Sequence, residues 1–183
     1  MTAETRVGIG YDSHRFAGAR TLVLGGVTFP GEPGLAGHSD ADVLTHAVID
    51  AVIGAAGLGD IGRHFPDDDP RFADADSIAL LGQAVSLAAE AGWRVVNVDA
   101  TVICERPRLA PEATQMAERL GDALNVDQDR VNVKATTNEG MGFIGRGEGI
   151  AAFAVAMLEQ IRRTRDSAGG SHDFRGASEA SEL

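Results

Sequence analysis

A polar stretch from His38 to His46 leads directly into an apolar helical pattern. Ser39 or Asp40 can cap the helix, because either side-chain oxygen can accept a hydrogen bond from a free amide at a helix start. His46 then lies in the second turn, where an imidazole is available to a metal. Free amides, a hydroxyl and an imidazole together suit chemistry on an anion. The apolar residues recur at helical spacing until Gly57, where we expect the helix to end, and are Val43, Ala47, Ile49, Val52, Ile53 and Ala56.

The length and charge of the chain limit the classes of protein it can belong to. At 183 residues it fits one domain, long enough to bury a core without disulfides or structural metals. Its formal charge of −11 excludes nucleic acid and anionic membrane surfaces as expected partners, because the long-range field has the wrong sign. A single cysteine rules out an internal disulfide framework, and the sequence contains neither a long apolar run nor a basic leader. We therefore expect a soluble cytoplasmic protein.

The chain on either side of this helix carries strand and turn patterns. Residues 6–16 alternate as a strand does, and residues 22–29, with Gly25-Gly26 in the middle, predict a short hairpin or a broken pair of strands. Glycine and proline are frequent in residues 30–37 and 57–70, so we expect both segments to be irregular. The second segment is long enough to act as a lid or a binding loop.

The remainder of the chain alternates predicted helices with predicted strands. Asp76-Ser77 can cap a helix that ends at Gly92, and residues 113–124 carry the apolar stripe of another helix. Residues 131–136 alternate as a strand, and the apolar residues in 150–161 predict a last helix. The clearest strand pattern covers residues 93–104, with Val96, Val98, Ala100, Val102 and Cys104 on one face.

This order of elements predicts an α+β fold. Helices are expected to cover one face of a mixed β-sheet within a single domain. We assign residues 1–165 to that domain. Residues 166–183 are small, polar or charged, and we expect them to form a flexible C-terminal tail.

Two metal-binding side chains share one face of the first predicted strand. Asp12 and His14 are separated by one strand repeat and point to the same side. Gly8 and Gly10 in this strand predict that another backbone approaches closely. With His46, the pair supplies one carboxylate and two imidazoles, which suit Zn²⁺ with a fourth position for a substrate oxygen. From the residues alone, ordinary polar roles for both histidines stay equally open.

Hydroxyl and carboxylate side chains follow the strand at 131–136. Thr136, Thr137 and Glu139 suit a phosphate and Mg²⁺, which commonly takes one or two carboxylates with phosphate oxygens and waters. A threonine-rich strand end with a helix cap is the alternative. Residues 145–149 place an arginine among glycines, but they lack the Gly-Lys-Ser/Thr ending of a Walker loop.

Five motifs follow one another in the order found in a known enzyme family. They are Gly10–His14, His38–Asp42 with His46, Gly59–Gly62 through Phe65–Asp67, Asn132–Thr137 with Glu139, and Gly145–Gly149. In this order and spacing the chain resembles the 2-C-methyl-D-erythritol 2,4-cyclodiphosphate synthases of the non-mevalonate isoprenoid pathway. The resemblance extends from about Arg6 to about Arg162.

This resemblance implies an α+β homotrimer whose sheets face the central axis and whose active sites lie between subunits. It implies Zn²⁺, or another divalent transition metal, on Asp12, His14 and His46, and Mg²⁺ or Mn²⁺ near Glu139. The implied substrate is a cytidine diphosphate, 4-diphosphocytidyl-2-C-methyl-D-erythritol 2-phosphate. Its 2-phosphate would attack the β-phosphate to close 2-C-methyl-D-erythritol 2,4-cyclodiphosphate and release CMP, which is the chemistry of a phosphorus–oxygen lyase.

The resemblance also assigns positions around the substrate. His38 and Thr137 fall where the family positions or stabilises the transferring phosphate. Residues 60–62 would hold the erythritol part under a closing loop at 65–69, and residues 104–110 would border the cytidine. The implied substrate-binding residues are Asp12, Ser13, His14, His38, Ser39, Asp60, Ile61, Gly62, Phe65, Pro66, Asp67, Asp68, Asp69, Cys104, Glu105, Arg106, Pro107, Arg108, Leu109, Ala110, Ala135, Thr136, Thr137, Asn138, Glu139, Phe143 and Arg146.

The cytidine loop departs from the family's pattern. Cys104 and Arg108 stand where the family commonly has alanine and lysine, and Leu109 and Ala110 also differ from its common choices. Much of this recognition is expected to use backbone groups, so we expect the pocket to be retained.

Two other functions fit the same residues. A metal-dependent phosphohydrolase would use the same ions to activate water, and it would produce free phosphate. A trimeric binding protein that holds an isoprenoid diphosphate in its channel would bind its ligand without releasing CMP. The products of the reaction separate these alternatives.

Overall fold

A mixed β-sheet forms the centre of the fold. The strands are β1 (Thr5–Leu24), β2 (Val27–Leu35), β3 (Trp93–Ile103), β4 (Val131–Thr136) and β5 (Gly149–Gln160). The structure is a computed structural model that describes residues 4–161, and these form one five-stranded sheet in the order β2-β1-β5-β3-β4. Strands β3 and β4 are parallel, and the other neighbouring strands are antiparallel. The sheet is therefore mixed, as the sequence predicts.

Helices pack on one face of this sheet. They are α1 (Val43–Ala56), α2 (Ile61–His64), α3 (Ser77–Glu90), α4 (Ala113–Leu124) and α5 (Gly142–Gly145), with 3₁₀ turns at Pro70–Phe72 and Gln128–Arg130. Helix α1 packs across β1 and β5, α3 packs on α1 and β3, and α4 packs on β4. In the part of the chain that is described, no helix has the length and apolar character needed to cross a membrane.

Two glycines allow β1 to lie directly against α1. A Cβ added to Gly8 would lie 2.0 Å from the carbonyl oxygen of Ala51, and one added to Gly10 would lie 1.9 Å from that of Ala47. Only residues without side chains permit this approach, as the sequence predicts. The contact brings the first half of β1 beside the first turns of α1, where the candidate metal ligands are located.

The opposite face of the sheet is apolar and exposed. Val7 and Ile9 of β1 are 68% and 70% exposed, although both are aliphatic. Tyr11 pairs across the strands with Phe153 of β5, with ring centroids 4.7 Å apart, and Val155 extends the same surface. An exposed apolar patch of this kind marks an interaction surface.

The predicted last helix is wrong, because residues 149–160 form the central strand β5. This strand pairs with both β1 and β3, so both of its faces are apolar. Ile150 and Leu158 are buried under the helices, whereas Phe153 and Val155 point to the exposed face. Apolar residues on both faces conceal the two-residue period, and the remaining pattern resembles a helix.

Two segments expected to be irregular contain regular structure. Strand β2 continues to Leu35, and shifts in register against β1 accommodate the glycines and prolines of residues 30–34. In residues 57–70, the short helix α2 begins because the Asp60 carboxylate accepts a hydrogen bond from the amide of Arg63. Both corrections arise from contacts that local composition does not reveal.

The cap of α1 also differs from the prediction. Asp42, rather than Ser39 or Asp40, accepts the hydrogen bond from the amide of Thr45. The Asp42 carboxylate is fully buried, and it also accepts bonds from the amides of the Gly25-Gly26 turn at 2.9 and 2.7 Å. A cap that serves two segments at once is a tertiary contact, so helix-start preference alone does not identify it.

A register shift changes the predicted inner face of β3. The shift lies between Val95 and Asn97, so Trp93 and Val95 are buried before the bulge and Val98 is buried after it. Val96 therefore does not continue the buried row. The hairpin at Gly25-Gly26, the end of α1 at Gly57, and the predicted elements at α3, α4 and β4 are confirmed. The predicted tail at 166–183 lies outside the described residues.

Candidate metal centre and active site

Three ligating atoms converge where β1 meets α1. Asp12 Oδ2 lies 2.9 Å from His14 Nε2 and 3.0 Å from His46 Nδ1. The two histidine nitrogens are 3.2 Å apart. These separations are close to the edge, about 3.3 Å, of a tetrahedron of ligands with zinc bonds of about 2.0 Å. The donor set of one carboxylate and two imidazoles therefore fits a divalent metal.

Local structure explains the convergence. Asp12 and His14 occupy alternate positions of β1 and so project from the same face. His46 follows the capping residue by one turn, and its amide bonds to the carbonyl oxygen of Asp42 at 3.0 Å. Because Gly10 lets the strand touch the helix, side chains from segments 30 residues apart meet directly.

The electrostatics of the centre favour a cation. Burial alone would raise the pKa of Asp12, but hydrogen bonds to His14 and His46 and their charge hold that pKa well below its usual range. Burial opposes a charge on His46, yet its hydrogen bond to Asp12 and the negative charge of that carboxylate raise its pKa above the ordinary value. The centre thus holds an ionised carboxylate beside two nitrogen ligands, and positive charge between them is favourable.

A cavity of about 370 Å³ opens beside the metal centre. His38 borders it, and its Nε2 donates to the carbonyl oxygen of Asp69 at 3.1 Å. The lining residues are Asp12, His14, Gly37, His38, Ser39, His46, Asp50, Ile61, Gly62, Phe65, Asp67 and Phe72. The cavity therefore brings together residues from the first three of the five sequence motifs.

Residues of the predicted closing loop line this cavity or support its wall. Phe65 is buried and packs edge-on against Phe72, with ring centroids 5.4 Å apart. Asp69 accepts hydrogen bonds from the backbone and side chain of Arg71, which lower the pKa of its carboxyl group. Asp68 is exposed at the tip of the loop, and Pro66 is half-buried beside it. The loop is thus folded against the cavity rather than extended away from it.

Three side chains at the site, those of Asp50, Phe72 and Ser77, were not selected from the sequence, nor was the cavity-lining Gly37. Asp50 lines the cavity and accepts a hydrogen bond from the amide of Ile61 at 2.7 Å. Burial, with the charges of neighbouring carboxylates, raises the pKa of Asp50. Phe72 lines the cavity, and Ser77 Oγ lies 2.9 Å from His46 Nε2. The helical spacing of Asp50 one turn after His46 was a usable signal, whereas nothing local marked Ser77.

A second cluster of predicted residues gathers at the ends of β3 and β4. These strands are parallel, so Ile103 and Thr136 lie side by side and the loops that follow them meet. Thr137 Oγ1 donates to Glu139 Oε1 at 2.8 Å. The Glu105 carboxylate accepts from the amide of Asn138 at 2.9 Å. Residues 104–110, which were predicted to border the cytidine, and the predicted phosphate-binding residues Thr136, Thr137 and Glu139 therefore lie on one continuous surface.

The side chains of this second cluster divide into buried and exposed groups. Cys104 and Leu109 are buried, and the Cys104 amide bonds to the carbonyl oxygen of Thr136 at 3.0 Å. Burial, with the charge of Glu105, raises the pKa of the Cys104 thiol to about 11. The exposed members are Arg106, Arg108, Ala110, Ala135, Thr136, Thr137 and Glu139, and Pro107 is half-buried.

The two clusters do not share a cavity within the subunit. Among the described residues, none from 104–110 or 135–139 lines the cavity beside Asp12. Phe143 and Arg146 are exposed, and Arg146 pairs with Glu148 at 2.6 Å. A larger groove of about 650 Å³ lies between α3, α4 and β3, and no predicted site residue of the described chain borders it. The predicted active-site residues thus form two separate surfaces.

The fold and the site define an α+β protein in which an Asp-His-His group, close enough together to bind a metal, joins a strand to a helix. Its sequence matches the model of the YgbB family over residues 5–159, and the chain belongs to that family. A "Bifunctional enzyme IspD/IspF" of Anaeromyxobacter sp. (strain Fw109-5) is 58% identical over 162 residues, or 88% of this chain and 42% of the relative. A "2-C-methyl-D-erythritol 2,4-cyclodiphosphate synthase" of Geotalea uraniireducens (strain Rf4) is 56% identical over 155 residues, or 85% of this chain and 99% of the relative.

A solved structure is similar to this chain in fold as well as in sequence. The structure described as "IspF (Plasmodium falciparum) CDP complex" has a TM-score of 0.76 and 30% identity, over 88% of this chain and 100% of that one. The chain spans about two fifths of the bifunctional relative's length, and nearly all of the single-function relative's. Family membership thus rests on sequence and fold together.

Proposed function

We propose that this chain converts 4-diphosphocytidyl-2-C-methyl-D-erythritol 2-phosphate to 2-C-methyl-D-erythritol 2,4-cyclodiphosphate and CMP, in isoprenoid precursor biosynthesis. The observation that carries the proposal is the convergence of Asp12, His14 and His46 beside a cavity, in a chain of this family. An oxygen of the 2-phosphate forms a bond to the β-phosphorus. The bond from that phosphorus to the bridging oxygen breaks, and CMP leaves with the electron pair.

No protein nucleophile is needed for this reaction. Both reacting phosphates belong to one molecule, so holding them in position supplies much of the rate enhancement. His38 and Thr137 are proposed to hold the transferring phosphate from opposite sides of the completed site. The Asp69 carbonyl fixes the position of the His38 ring, and Thr137 lies beside Glu139, the proposed ligand of the second metal.

The residues present suit two kinds of metal ion. Asp12, His14 and His46 would hold Zn²⁺ or another divalent transition metal, and the Glu139 carboxylate would hold Mg²⁺ or Mn²⁺. Such ions, when bound, neutralise phosphate charge and act as Lewis acids on phosphoryl oxygens. Because the chain carries a net charge of −11, local cations are needed before two phosphates can enter the site.

The cavity and the second cluster divide the substrate between them. Residues 60–62 are proposed to hold the erythritol part, with the loop at 65–69 closing over it. The cytidine would lie on the surface made by residues 104–110 and the end of β4, where backbone groups can read its base. The proposed substrate-binding residues are Asp12, Ser13, His14, His38, Ser39, Asp60, Ile61, Gly62, Phe65, Pro66, Asp67, Asp68, Asp69, Cys104, Glu105, Arg106, Pro107, Arg108, Leu109, Ala110, Ala135, Thr136, Thr137, Asn138, Glu139, Phe143 and Arg146.

A homotrimer is proposed to join the two clusters. The exposed apolar face at Val7, Ile9 and Phe153 supports an assembly in which the sheets face a common axis. Each complete site would then take its metal centre from one subunit and its cytidine surface from the next. Phe143 and Arg146 would lie near the substrate phosphates and the central channel. The proposed domain covers residues 1–165, and the proposed location is the cytoplasm.

Separate assays for CMP and free phosphate test this function. The protein is incubated with the cytidine diphosphate substrate, Zn²⁺ and Mg²⁺, and both products are quantified over time. We expect one CMP per substrate consumed and no free phosphate. Phosphate release would identify a hydrolase, and tight binding of an isoprenoid diphosphate without CMP formation would identify a binding protein. Either result would contradict the synthase.

A further inference from the structure

A line of hydrogen bonds leads from the metal centre into the protein. On the side of the His46 ring away from Asp12, Nε2 lies 2.9 Å from Ser77 Oγ. The Ser77 hydroxyl donates to Asp40 Oδ1, and the Ser77 amide donates to Asp40 Oδ2 at 3.1 Å. Ser77 is the first residue of α3 and is fully buried. The Asp40 carboxylate thus accepts hydrogen bonds from both the amide and the hydroxyl of Ser77, and Ser77 contacts the candidate metal ligand His46.

The direction of each bond follows from the number of hydrogens. A serine hydroxyl has one hydrogen, and an ionised carboxylate can only accept. The hydrogen of Ser77 is therefore committed to Asp40, and Ser77 Oγ presents lone pairs to His46. Towards Ser77, Nε2 is therefore the donor. In the neutral ring, which is the form that binds a metal, this leaves the lone pair on Nδ1, the atom that faces Asp12 and His14.

A second hydroxyl lies at the same ring nitrogen and can take part in this arrangement by donating its own hydrogen to Ser77 Oγ. Ser39 Oγ lies 3.0 Å from His46 Nε2 and accepts a hydrogen bond from the amide of Ala41 at 3.3 Å. It is 3.4 Å from Ser77 Oγ, so the two hydroxyls flank the ring nitrogen together. Ser77 is the more firmly fixed of the two, because it is anchored at both its amide and its hydroxyl. Among these contacts, it is the one that connects His46 to a carboxylate.

We propose that Asp40 and Ser77 form a positioning relay, which holds His46 in the Nε2–H tautomer and aims Nδ1 at the metal. This inference rests on the proposed metal centre and assigns it two residues that do not touch the metal. Partners of this kind orient ligating histidines and raise their basicity, and losing one lowers metal affinity about 10- to 100-fold. Because Ser77 begins α3, the relay also joins that helix to the centre.

Zinc affinity in a double-mutant cycle tests the relay. Competition with a chromophoric chelator gives the zinc dissociation constant for wild type, Ser77→Ala, Asp40→Ala and the double variant. We expect each single change to weaken zinc binding about 10- to 100-fold. The double variant should bind no more weakly than the weaker single variant, because both changes break the same line of bonds. Ser77→Thr, which keeps the hydroxyl, should restore most of the affinity.

A serine elsewhere on α3 provides the matched control. Ser86 is exposed, and its hydroxyl donates only to the carbonyl oxygen of Gly82, at 3.0 Å. Ser86→Ala should leave zinc binding unchanged. In zinc-loaded wild type, the His46 Nε2–H should give a slowly exchanging proton resonance in ¹⁵N-edited NMR. That resonance should exchange faster in Ser77→Ala and in Asp40→Ala, while the backbone amides of α3 keep their wild-type exchange rates, which separates loss of the relay from a general loss of helix stability.

The outcomes distinguish a failure of the relay proposal from a failure of the metal-centre proposal on which it rests. If folded Ser77→Ala and Asp40→Ala bind zinc as tightly as Ser86→Ala, the relay is wrong and the metal centre stands. Additive losses in the double variant would also contradict a shared line of bonds. If wild type itself fails to bind zinc, the proposed metal centre is wrong and the relay falls with it. Should Ser77→Ala not fold, Asp40→Ala and the wild-type NMR resonance still decide the question.

Discussion

The Asp50 carboxylate lies 2.7 Å from the backbone nitrogen of Ile61, and this bond ties the metal-bearing helix α1 to the start of α2. Asp50 follows His46 by one helical turn, so both side chains face the same cavity. The wall proposed to hold the erythritol part is therefore anchored to the helix that carries a metal ligand. This hydrogen bond would couple the position of the proposed substrate to that of the proposed metal.

Breaking that bond should impair substrate binding more than metal binding. We expect Asp50→Ala to raise the KM for the cytidine substrate about tenfold, because a lost bond to a carboxylate costs about 1.5–3 kcal/mol. Asp50→Asn keeps an accepting oxygen and should change KM less. Steady-state kinetics with a parallel zinc titration measures both quantities. Equal KM values for Asp50→Ala and wild type would show that the bond does not shape the site.

Removing a metal ligand should abolish turnover without unfolding the protein. We expect His46→Ala to lose stoichiometric zinc binding and to lower kcat by more than about a hundredfold, since charge stabilisation is lost. The control is His64→Ala, because His64 bonds to the Leu58 carbonyl at 3.0 Å and does not line the cavity. Metal analysis and CMP release, with circular dichroism for the fold, decide the outcome. Near-normal turnover by His46→Ala would contradict the metal centre.

Filling the space between β1 and α1 should damage stability and the metal centre together. A Cβ on Gly10 would lie 1.9 Å from the Ala47 carbonyl oxygen, and backbone atoms cannot rotate away. We expect Gly10→Ala to lower the free energy of unfolding by about 3 kcal/mol and to weaken zinc binding. Gly18→Ala in the same strand is the control, because a Cβ there meets open space. Denaturant unfolding compares the two, and equal stabilities would disprove the close contact.

The Cys104 thiol should be unreactive in the native protein. Burial, with the charge of Glu105, raises its pKa to about 11, so only about one thiol in a thousand is ionised at pH 8. Alkylation by iodoacetamide should therefore be much slower in native protein than in denaturant, and its rate should rise with pH up to the native pKa. Comparable rates in the two states at pH 8 would show that this thiol is accessible and unperturbed.

Mixing complementary variants tests whether the active sites lie between subunits. His46→Ala lacks a metal ligand and Thr137→Ala lacks a residue of the second cluster, so each homotrimer has three damaged sites. Refolding them together in equal amounts should restore about a quarter of wild-type activity, because three-quarters of the random trimers would contain one intact site in three. Mixing His46→Ala with His14→Ala should restore none. If the mixture of His46→Ala with Thr137→Ala also recovers no activity, the active sites are not shared between subunits.

A charge on the exposed apolar face should break the assembly. Ile9 is 70% exposed in the subunit, and the trimer would bury it at the axis. We expect Ile9→Asp to sediment as a monomer, to lose CMP release and to keep its zinc affinity. Ile161→Asp, at an exposed apolar residue beyond the end of β5, should remain trimeric. A wild-type monomer in analytical ultracentrifugation would refute the assembly outright.

The candidate metal centre could be predicted from the sequence because each of its ligands lies in a pattern that is local in the chain. Two ligands one strand repeat apart, and a third one turn into a capped helix, need only regular β1 and α1 geometry to project correctly. Gly8 and Gly10 further indicated that the two elements touch. The convergence of Asp12, His14 and His46 follows from these patterns, and the structure brings the three together.

The errors came from contacts between distant segments. Strand β5 lies between β1 and β3, and its own side chains are apolar on both faces of the sheet. The alternation of apolar and polar residues that identifies a strand is therefore missing from β5. Asp42 caps α1 because it also serves the Gly25-Gly26 turn, and Ser77 reaches His46 only because α3 packs beside α1. Such contacts form only in the completed fold, so they cannot be predicted from the periodicity of a single sequence.

The identity of the phosphorus-containing product tests the central claim most directly. Metal-free protein and protein reloaded with Zn²⁺ and Mg²⁺ are each incubated with the cytidine diphosphate substrate and followed by phosphorus NMR. The account predicts no reaction without metal, and with metal it predicts the two coupled signals of a cyclic diphosphate together with CMP. Inorganic phosphate as the product, or equal conversion by the metal-free protein, would contradict it.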